Sequence, residues 1–199
     1  MFKIVISCDD GNLSDIRLAR LLKKYKLPCI FFIPTNCQLE DEDIKKLSKD
    51  GFEIGGHTQT HPSDMKLLDG VELLEEVGGN KNWLESLIDK KIEWFCYPSG
   101  RYNETTIEAV KMAGFKYART TVIGETLEPK DNYRIKTSMH VYPHRKEING
   151  QNWLDYAKMK HDEAKVIGGV FHLWCHSWEL TKYKIWDELE ELFKYIKKT

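Results

Sequence analysis

The sequence predicts an α/β fold, and two observations lead to this prediction. Short apolar runs alternate with amphipathic segments along the whole chain, which is the pattern of strands and helices that share one sheet. Polar residues follow directly after several of these runs, as expected where the carboxyl ends of strands meet and sites are built. No repeat, low-complexity tract or Gly/Ser-rich linker interrupts the 199 residues, so one domain over residues 1–199 is expected.

The predicted strands are short runs rich in branched and aromatic residues. The first leads into Asp9 and Asp10, the second lies between Pro28 and Pro34, and the third opens into Gly55. The apolar residues in 121–149 recur with neither helical nor strand spacing, so the strand predicted there is expected among loops. The predicted strands cover residues 2–7, 29–33, 52–54, 93–96, 116–120, 133–136 and 170–173.

Segments with helical spacing separate these strands. Ser14 is expected to cap the first helix, which runs to about Tyr25. Gly51 and Gly114 follow predicted helices at positions that favour a left-handed residue. The longest segment is expected to be interrupted near Gly78. The other predicted helices cover residues 42–50, 70–89, 105–113, 152–165 and 186–197.

Composition restricts the class of protein. Hydrophobic residues make up 41% and charged residues 31% of the chain, as in soluble globular proteins. The net charge of −1 argues against a protein that coats nucleic acid. No run approaches the roughly 18 apolar residues of a membrane span, and no signal peptide is recognisable, so a cytoplasmic location is expected. The five cysteines include no CxxC pair, which predicts neither a disulfide framework nor a cysteine-based zinc site.

The first candidate site is the pair Asp9 and Asp10, which ends a strand and precedes Gly11. Successive side chains leave a strand in opposite directions, so one carboxylate can face a metal while its neighbour faces a substrate. An Asp-Gly turn with two solvated carboxylates is the alternative interpretation.

The second candidate site is the pair His57 and His61, four residues apart. Pro62 disfavours a helix there, so a short turn is expected to bring the imidazoles together. Alone, this spacing is often accidental. Together with Asp10 it offers two nitrogens and one anionic oxygen, a common ligand set for a catalytic zinc ion with an open position.

Four motifs, in this order, resemble those of the polysaccharide deacetylases of carbohydrate esterase family 4, the NodB-homology domain. They are residues 9–11 (Asp-Asp-Gly), 57–61 (His-Thr-Gln-Thr-His), 95–100 (Phe-Cys-Tyr-Pro-Ser-Gly) and 174–176 (Trp-Cys-His). Residues 113–120 are also similar to the stretch that follows the third motif in many members. The resemblance implies a deformed parallel (β/α) barrel with fewer than eight strands.

The resemblance also implies roles for individual residues. Asp9 matches the general base, and His176 matches the general acid. Asp10, His57 and His61 match the metal ligands. Zinc is the expected ion, while cobalt, nickel or iron also suit such a site because affinity alone does not decide occupancy. This chemistry fits amide hydrolysis, which needs an activated water and a protonated leaving group.

Four further residues are expected to contact substrate. The backbone amide of Ser99 matches the donor that holds the oxyanion. Tyr97 and Trp174, with Trp178, are candidates for an aromatic wall against a sugar ring. Packing in the core or at the rim is the alternative interpretation for these aromatic residues.

The sequence departs from the family pattern at several positions. Cys96 stands where the family often has an arginine that orients the catalytic aspartate, and Arg101 or Arg134 is a candidate replacement. Trp174 stands where a leucine usually walls the acyl pocket. The family's aspartate-tryptophan motif is not recognisable.

The remaining histidines are expected outside the site. His172 lies in a predicted strand and is expected to be a packed core histidine, whereas His140 and His144 are expected at the surface unless they belong to a second metal site. Glu179 is expected either to hydrogen-bond within the site or to cap the following segment.

Together these features predict a metal-dependent deacetylase that removes an N-acetyl or related N-acyl group from an amino sugar or glycan. One alternative is a deformylase or deacylase of a lipid- or nucleotide-linked amino sugar. Another is a catalytically silent glycan-binding module on the same fold. The expected partner is the N-acylated sugar, with no nucleic acid and no membrane span; the sequence predicts no oligomeric state.

Overall fold

Seven parallel strands form a single sheet in the computed structural model, which describes residues 1–198. In chain order they are β1 (Lys3–Asp9), β2 (Ile30–Ile33), β3 (Glu53–Gly56), β4 (Trp94–Cys96), β5 (Tyr117–Arg119), β6 (Met139–His140) and β7 (Val170–His176). Their order across the sheet is β5-β4-β3-β2-β1-β7-β6. Strands β1 and β7 pair over seven residues, from Lys3 opposite Val170 to Asp9 opposite His176.

Helices connect the strands and pack against the outer face of the sheet. They are α1 (Asp15–Tyr25), α2 (Asp41–Lys49), α3 (Gly70–Leu74), α4 (Asn80–Ile88), α5 (Glu104–Met112), α6 (Trp153–Ile167), α7 (Ser177–Lys182) and α8 (Trp186–Lys198). A π-helical turn, Glu75–Gly79, joins α3 to α4, where the sequence predicted an interruption. Among the described residues, no helix has the length and apolar character needed to cross a membrane.

The sheet curls into an incomplete barrel. Arg119 on β5 contacts Asp9 on β1 although three strands lie between them, which requires the sheet to bend round on itself. Residues 132–141 span the remaining opening: Ile135 donates to the Ala118 carbonyl on β5, and Val141 donates to the Trp174 carbonyl on β7. The predicted deformed parallel (β/α) barrel with fewer than eight strands is therefore confirmed.

Three local predictions were wrong. The strand expected at residues 133–136 is reduced to one bridge between Ile135 and Arg119, and the paired strand is instead Met139–His140. This segment crosses from one edge of the sheet to the other, so neither edge pairs with it for long. Strand β7 continues to His176 because it follows β1 to its end, and the short helix α7 was not predicted.

Candidate active site

The first strand ends in two aspartates that face different surroundings. Asp9 lies inside the barrel and is 2% exposed, whereas the preceding Cys8 faces the helices and donates to Asp15 on α1. Asp10 has φ 81° and Gly11 has φ 60°, so the chain turns sharply after the strand. A side chain at Gly11 would start only 2.7 Å from Cys37 Cβ, which makes glycine necessary there.

The segment from His57 to His61 forms a tight turn, as predicted. Thr58 and His61 both have positive φ, at 69° and 54°, an uncommon conformation for residues with a side chain. The Thr58 hydroxyl accepts a hydrogen bond from the His61 backbone N–H at 3.1 Å. The two imidazole rings come within 4.8 Å of each other, measured between ring centroids.

The π-helical turn and the residue after it hold this strained turn in place. One carboxylate oxygen of Glu76 accepts the backbone N–H groups of Gln59 and Thr60, each at 2.9 Å, and the other accepts the Thr60 hydroxyl at 2.7 Å. Asn80 accepts the His57 backbone N–H at 3.0 Å and also donates to the carbonyl of Ile33, the last residue of β2. The positions of both histidines are therefore tied to the sheet and to α4.

Asp10, His57 and His61 form a group with the geometry of a metal site. The Asp10 Oδ1 atom lies 3.6 Å from His57 Nε2 and 3.5 Å from His61 Nε2. Ligand atoms about 2.0–2.2 Å from one zinc ion stand roughly 3.3–3.6 Å from each other in a tetrahedral arrangement. Asp10 Oδ1 is also buried and has no hydrogen-bond partner, which is costly unless a cation satisfies it.

The orientation of His57 supports the same interpretation. Its Nδ1 atom lies 2.8 Å from the Cys96 carbonyl oxygen and donates to it, which leaves the Nε2 lone pair directed at Asp10. The second carboxylate oxygen of Asp10 accepts the Trp178 indole N–H at 3.1 Å. These three residues therefore fit a divalent cation held by one carboxylate oxygen and two imidazole nitrogens.

Asp9 is held by an arginine that the sequence did not identify. Both of its oxygens contact Nη2 of Arg119, which is fully buried. Burial alone raises the pKa of Asp9, but the charge of Arg119, together with those of His57 and His176 and the Arg119 hydrogen bond, outweighs that effect and the pKa is lowered. Arg119 thus occupies the role left open by Cys96.

The two expected replacements for the family arginine lie elsewhere. Arg101 pairs with Asp64, and Arg134 pairs with Glu104 and Asp131 at the surface. Neither arginine reaches Asp9, so this prediction was wrong. Arg119 belongs to residues 113–120, but the sequence does not show how far the sheet curls.

His176 lies beside Asp9 on the neighbouring strand, and its ring is oriented by Glu179. His176 Nδ1 donates to Glu179 Oε2 at 2.8 Å, and its Nε2 lies 3.7 Å from Asp10 Oδ2. Burial lowers the pKa of His176, but the Glu179 hydrogen bond and the charges of Asp9 and Asp10 outweigh it, so the pKa is raised. Glu179 therefore hydrogen-bonds within the site, one of its two predicted roles.

His140 also belongs to this group, so the prediction of a surface histidine was wrong. It is 4% exposed and donates from Nε2 to the same Glu179 oxygen at 2.9 Å. Its ring stacks on Trp174, with 3.7 Å between centroids. The reason is its place in β6, which pairs with Trp174 on β7 inside the barrel. Burial lowers the pKa of His140 to about 4, so its ring is neutral near pH 7.

Two residues that were predicted to contact substrate, Tyr97 and Trp174, lie in the interior of the protein. The Tyr97 side chain is fully buried and donates its hydroxyl to the Tyr133 carbonyl at 3.0 Å. Cys96 points into the barrel, so its neighbour Tyr97 points outwards into the core between the sheet and the helices. Trp174 is 3% exposed and lies between His140 and Arg119. For these two residues the alternative of core packing describes the structure.

The other predicted residues lie as follows. Ser99 is exposed on the turn after β4, with φ 54°. Trp178 lines a cleft of about 480 Å³ that opens onto Asp10 and His61. His172 is buried and forms a hydrogen bond with the Ser7 hydroxyl, and His144 is exposed, both as predicted. All five cysteines are free thiols.

Comparison with known proteins gives the family. The model of the polysaccharide deacetylase family matches residues 2–118, more than half of the chain. The Bacillus subtilis (strain 168) protein YlxY is 30% identical over 109 residues, which cover 54% of this chain and 34% of YlxY. The chain thus spans about a third of the length of that relative.

Solved structures share the fold. A Mycobacterium smegmatis protein named after the same family superposes with a TM-score of 0.76 and 16% identity, over 98% of this chain and 84% of that one. A Bacillus anthracis pseudoenzyme of carbohydrate esterase family 4 gives a TM-score of 0.66 and 17% identity, over 100% and 60% of the two chains. With its family match, its curled parallel sheet and its clustered aspartates and histidines, this chain belongs to the polysaccharide deacetylase family.

Proposed function

We propose that residues 1–199 form one catalytic domain, a metal-dependent hydrolase that removes an N-acetyl or related N-acyl group from an amino sugar or glycan. The observation that carries the proposal is the convergence of three potential ligand atoms from Asp10, His57 and His61. Asp9 and His176, paired opposite each other on adjacent strands, lie beside that set. When bound, a divalent ion such as zinc supplies Lewis acidity that polarises the acyl carbonyl and lowers the pKa of a water.

The side chains supply the proton transfers. Asp9, kept ionised by Arg119, accepts a proton from the attacking water. The backbone N–H of Ser99 donates to the oxygen that becomes negative. His176, protonated because of Glu179 and the nearby aspartates, gives its Nε2 proton to the departing amine.

The geometry around His176 supports this direction of transfer. Glu179 accepts the Nδ1 proton, so the other nitrogen is the one that faces Asp10 and the cleft. The Glu179 carboxylate also stabilises the imidazolium form of His176. Burial alone would lower the pKa of His176 and leave its ring neutral. His140 shares the same oxygen and stays neutral, so it is not the acid.

A catalytically silent glycan-binding module is the weaker candidate. Cys96 would favour such a module, because it stands where an arginine is expected beside the base. Arg119 contacts both oxygens of Asp9 and removes that support. The base, the acid and the candidate ligands are all present, which favours an enzyme.

The decisive experiment combines metal analysis with acetate release from a panel of N-acetylated sugars. Asp9→Asn should keep the metal and lose most of the hydrolysis, whereas Asp10→Asn should lose affinity for the metal. Asp131→Asn, at the surface, is the matched control and should keep both. Equal loss of metal in the Asp9 and Asp10 variants would contradict the proposed roles.

The acid is tested with two kinds of substrate. His176→Ala should lower amide hydrolysis by roughly a hundredfold or more, the usual scale for a general acid. An activated ester needs little protonation of its leaving group, so its hydrolysis should fall much less. Equal losses on both substrates would show that His176 is not the acid.

A further inference from the structure

A cavity of about 280 Å³ opens at the amino end of the barrel. Its lining includes Lys3, Trp94, Tyr117 and Val170, each the first residue of its strand. Because the strands are parallel, these residues lie together at the end of the barrel opposite the candidate active site. Residues of the loop 125–136 complete the lining, and we call this space the lower cavity. Its volume is near the lower limit of about 300 Å³ for small-molecule sites, which suits a compact ligand.

The walls of the lower cavity are flat and mostly apolar. Trp94 and Tyr117 stack on each other, with 4.7 Å between ring centroids and 27° between ring planes. The other apolar side chains of the lining are Val5, Leu127, Pro129, Ile135 and Val170. Aromatic faces and branched aliphatic groups together favour a planar ring, which can lie against both.

One buried polar side chain, His172, also belongs to the lining. Its Nε2 atom lies 3.0 Å from the Ser7 hydroxyl, whereas its Nδ1 atom has no hydrogen-bond partner among residues 1–198. Burial and the charge of Arg119 lower the pKa of His172 to about 3, so the ring is neutral near pH 7. Its Nδ1 atom is therefore available to a polar ring atom of a ligand, such as an indole N–H or a phenol O–H.

The mouth of the lower cavity carries two positive and two negative side chains. Lys3 pairs with Glu128 at 2.8 Å, which satisfies one of each. Glu125 accepts two backbone N–H groups of its own loop at 3.0 Å, and Lys136 forms no ion pair or hydrogen bond within the described part of the chain. The Glu125 backbone N–H donates to the Thr137 carbonyl at 3.0 Å, so Glu125 and Lys136 lie on neighbouring segments. One carboxylate and one ammonium group are thus left without an oppositely charged partner.

We infer that the lower cavity binds a free aromatic amino acid, with its ring inside the cavity, its ammonium group on Glu125 and its carboxylate on Lys136. Charge complementarity selects this class, because a zwitterion satisfies both unpaired groups at the mouth. A peptide terminus or a simple aromatic acid carries only one of the two charges and leaves the other group unpaired. The lower cavity shares no lining residue with the cleft at Asp10 and His61, so the inference is independent of the proposed function.

The test combines three probes with two variants in calorimetric titrations. L-tryptophan carries both charges, indole-3-propionate lacks the ammonium group, and tryptamine lacks the carboxylate. Lys136→Met should weaken binding of L-tryptophan and indole-3-propionate about 5-fold and leave tryptamine unchanged. Glu125→Gln keeps an oxygen for the backbone N–H groups; it should weaken L-tryptophan and tryptamine by a similar factor and leave indole-3-propionate unchanged. Lys130→Met, on the same loop but outside the lining, is the control and should match wild type.

A further arm separates the lower cavity from the candidate metal site. Amino acids chelate divalent ions, so the titrations are run with EDTA and repeated with Asp10→Asn, which should bind L-tryptophan as tightly as wild type. L-alanine, which has the same charged groups without the ring, should not bind. Absence of saturable L-tryptophan binding, an affinity that neither Lys136→Met nor Glu125→Gln changes, or loss of binding in Asp10→Asn would overturn the inference.

Discussion

Replacing Arg119 by methionine tests the ion pair with Asp9 most directly. The arginine is fully buried and Asp9 is 2% exposed, so the substitution leaves a buried carboxylate without its cation. Removal of one partner of a buried pair costs about 3–5 kcal/mol. For a chain of this size 1 kcal/mol corresponds to roughly 2–4 °C, so Tm should fall by about 6–20 °C.

The loss should also depend on pH. In the wild type the pKa of Asp9 is lowered, so its contribution to stability is present above its ordinary pKa and is lost as pH falls through the folded value. Without Arg119, burial raises that pKa, and the folded variant binds the proton more tightly than the unfolded chain. Its stability deficit should therefore be larger at pH 8 than at pH 5.

Two assays follow from this reasoning: urea unfolding at both pH values, and the pH dependence of kcat/KM. The acidic limb of the rate profile should move to higher pH in Arg119→Met, because Asp9 acts only when ionised. Adding Asp9→Asn should recover part of the lost stability, since the lone charge is then gone. Arg134→Met is the control, because a surface ion pair contributes at most about 1 kcal/mol. A deficit independent of pH, with an unmoved acidic limb, would refute the reasoning.

Three further predictions concern groups around the site. Glu76→Ala should weaken zinc affinity about 10- to 100-fold in a chelator competition, because the turn that carries the histidines loses three hydrogen bonds. Glu75→Ala is the control and should match wild type. Equal zinc affinities in the two variants would contradict the role of Glu76 in holding the turn. Burial raises the pKa of Asp15 to about 7, so the contribution of Asp15 to wild-type stability should fall by up to about 4 kcal/mol as pH rises from 4 to 7. Asp15→Asn should remove that contribution, so the stability of the variant should change more favourably with rising pH than that of the wild type in urea unfolding; identical slopes would contradict this. Glu179→Gln should move the alkaline limb of kcat/KM to lower pH, because the carboxylate raises the pKa of His176; an unmoved limb would exclude that coupling.

The sequence was sufficient to predict which residues gather at one end of the sheet. Asp10, His57 and His61 come together because parallel strands end on the same edge and Pro62 enforces a turn. The outward direction of Tyr97 was also accessible, since it follows Cys96 in a strand and must leave on the opposite face.

Other features of the site depend on contacts between segments that are distant in the sequence. Arg119 reaches Asp9 only because the sheet curls, and curl is not encoded in the spacing of either residue. His140 lies in a segment without clean periodicity, so nothing in its neighbours indicated burial. Its partner Glu179 follows His176 by three residues, but its hydrogen bond depends on the short helix α7, which was not predicted.

The pairing of β1 with β7 has a consequence for how the chain is made. Ser7 and His172 on these strands contact each other although 165 residues separate them in the chain. At roughly 5–20 residues per second, the ribosome needs about 8–30 s to add that stretch. Until then β1 presents an unpaired edge of backbone groups, which invites association between chains. Asp9 and His176 can meet only when synthesis has passed β7, so no nascent fragment lacking that strand assembles the acid–base pair.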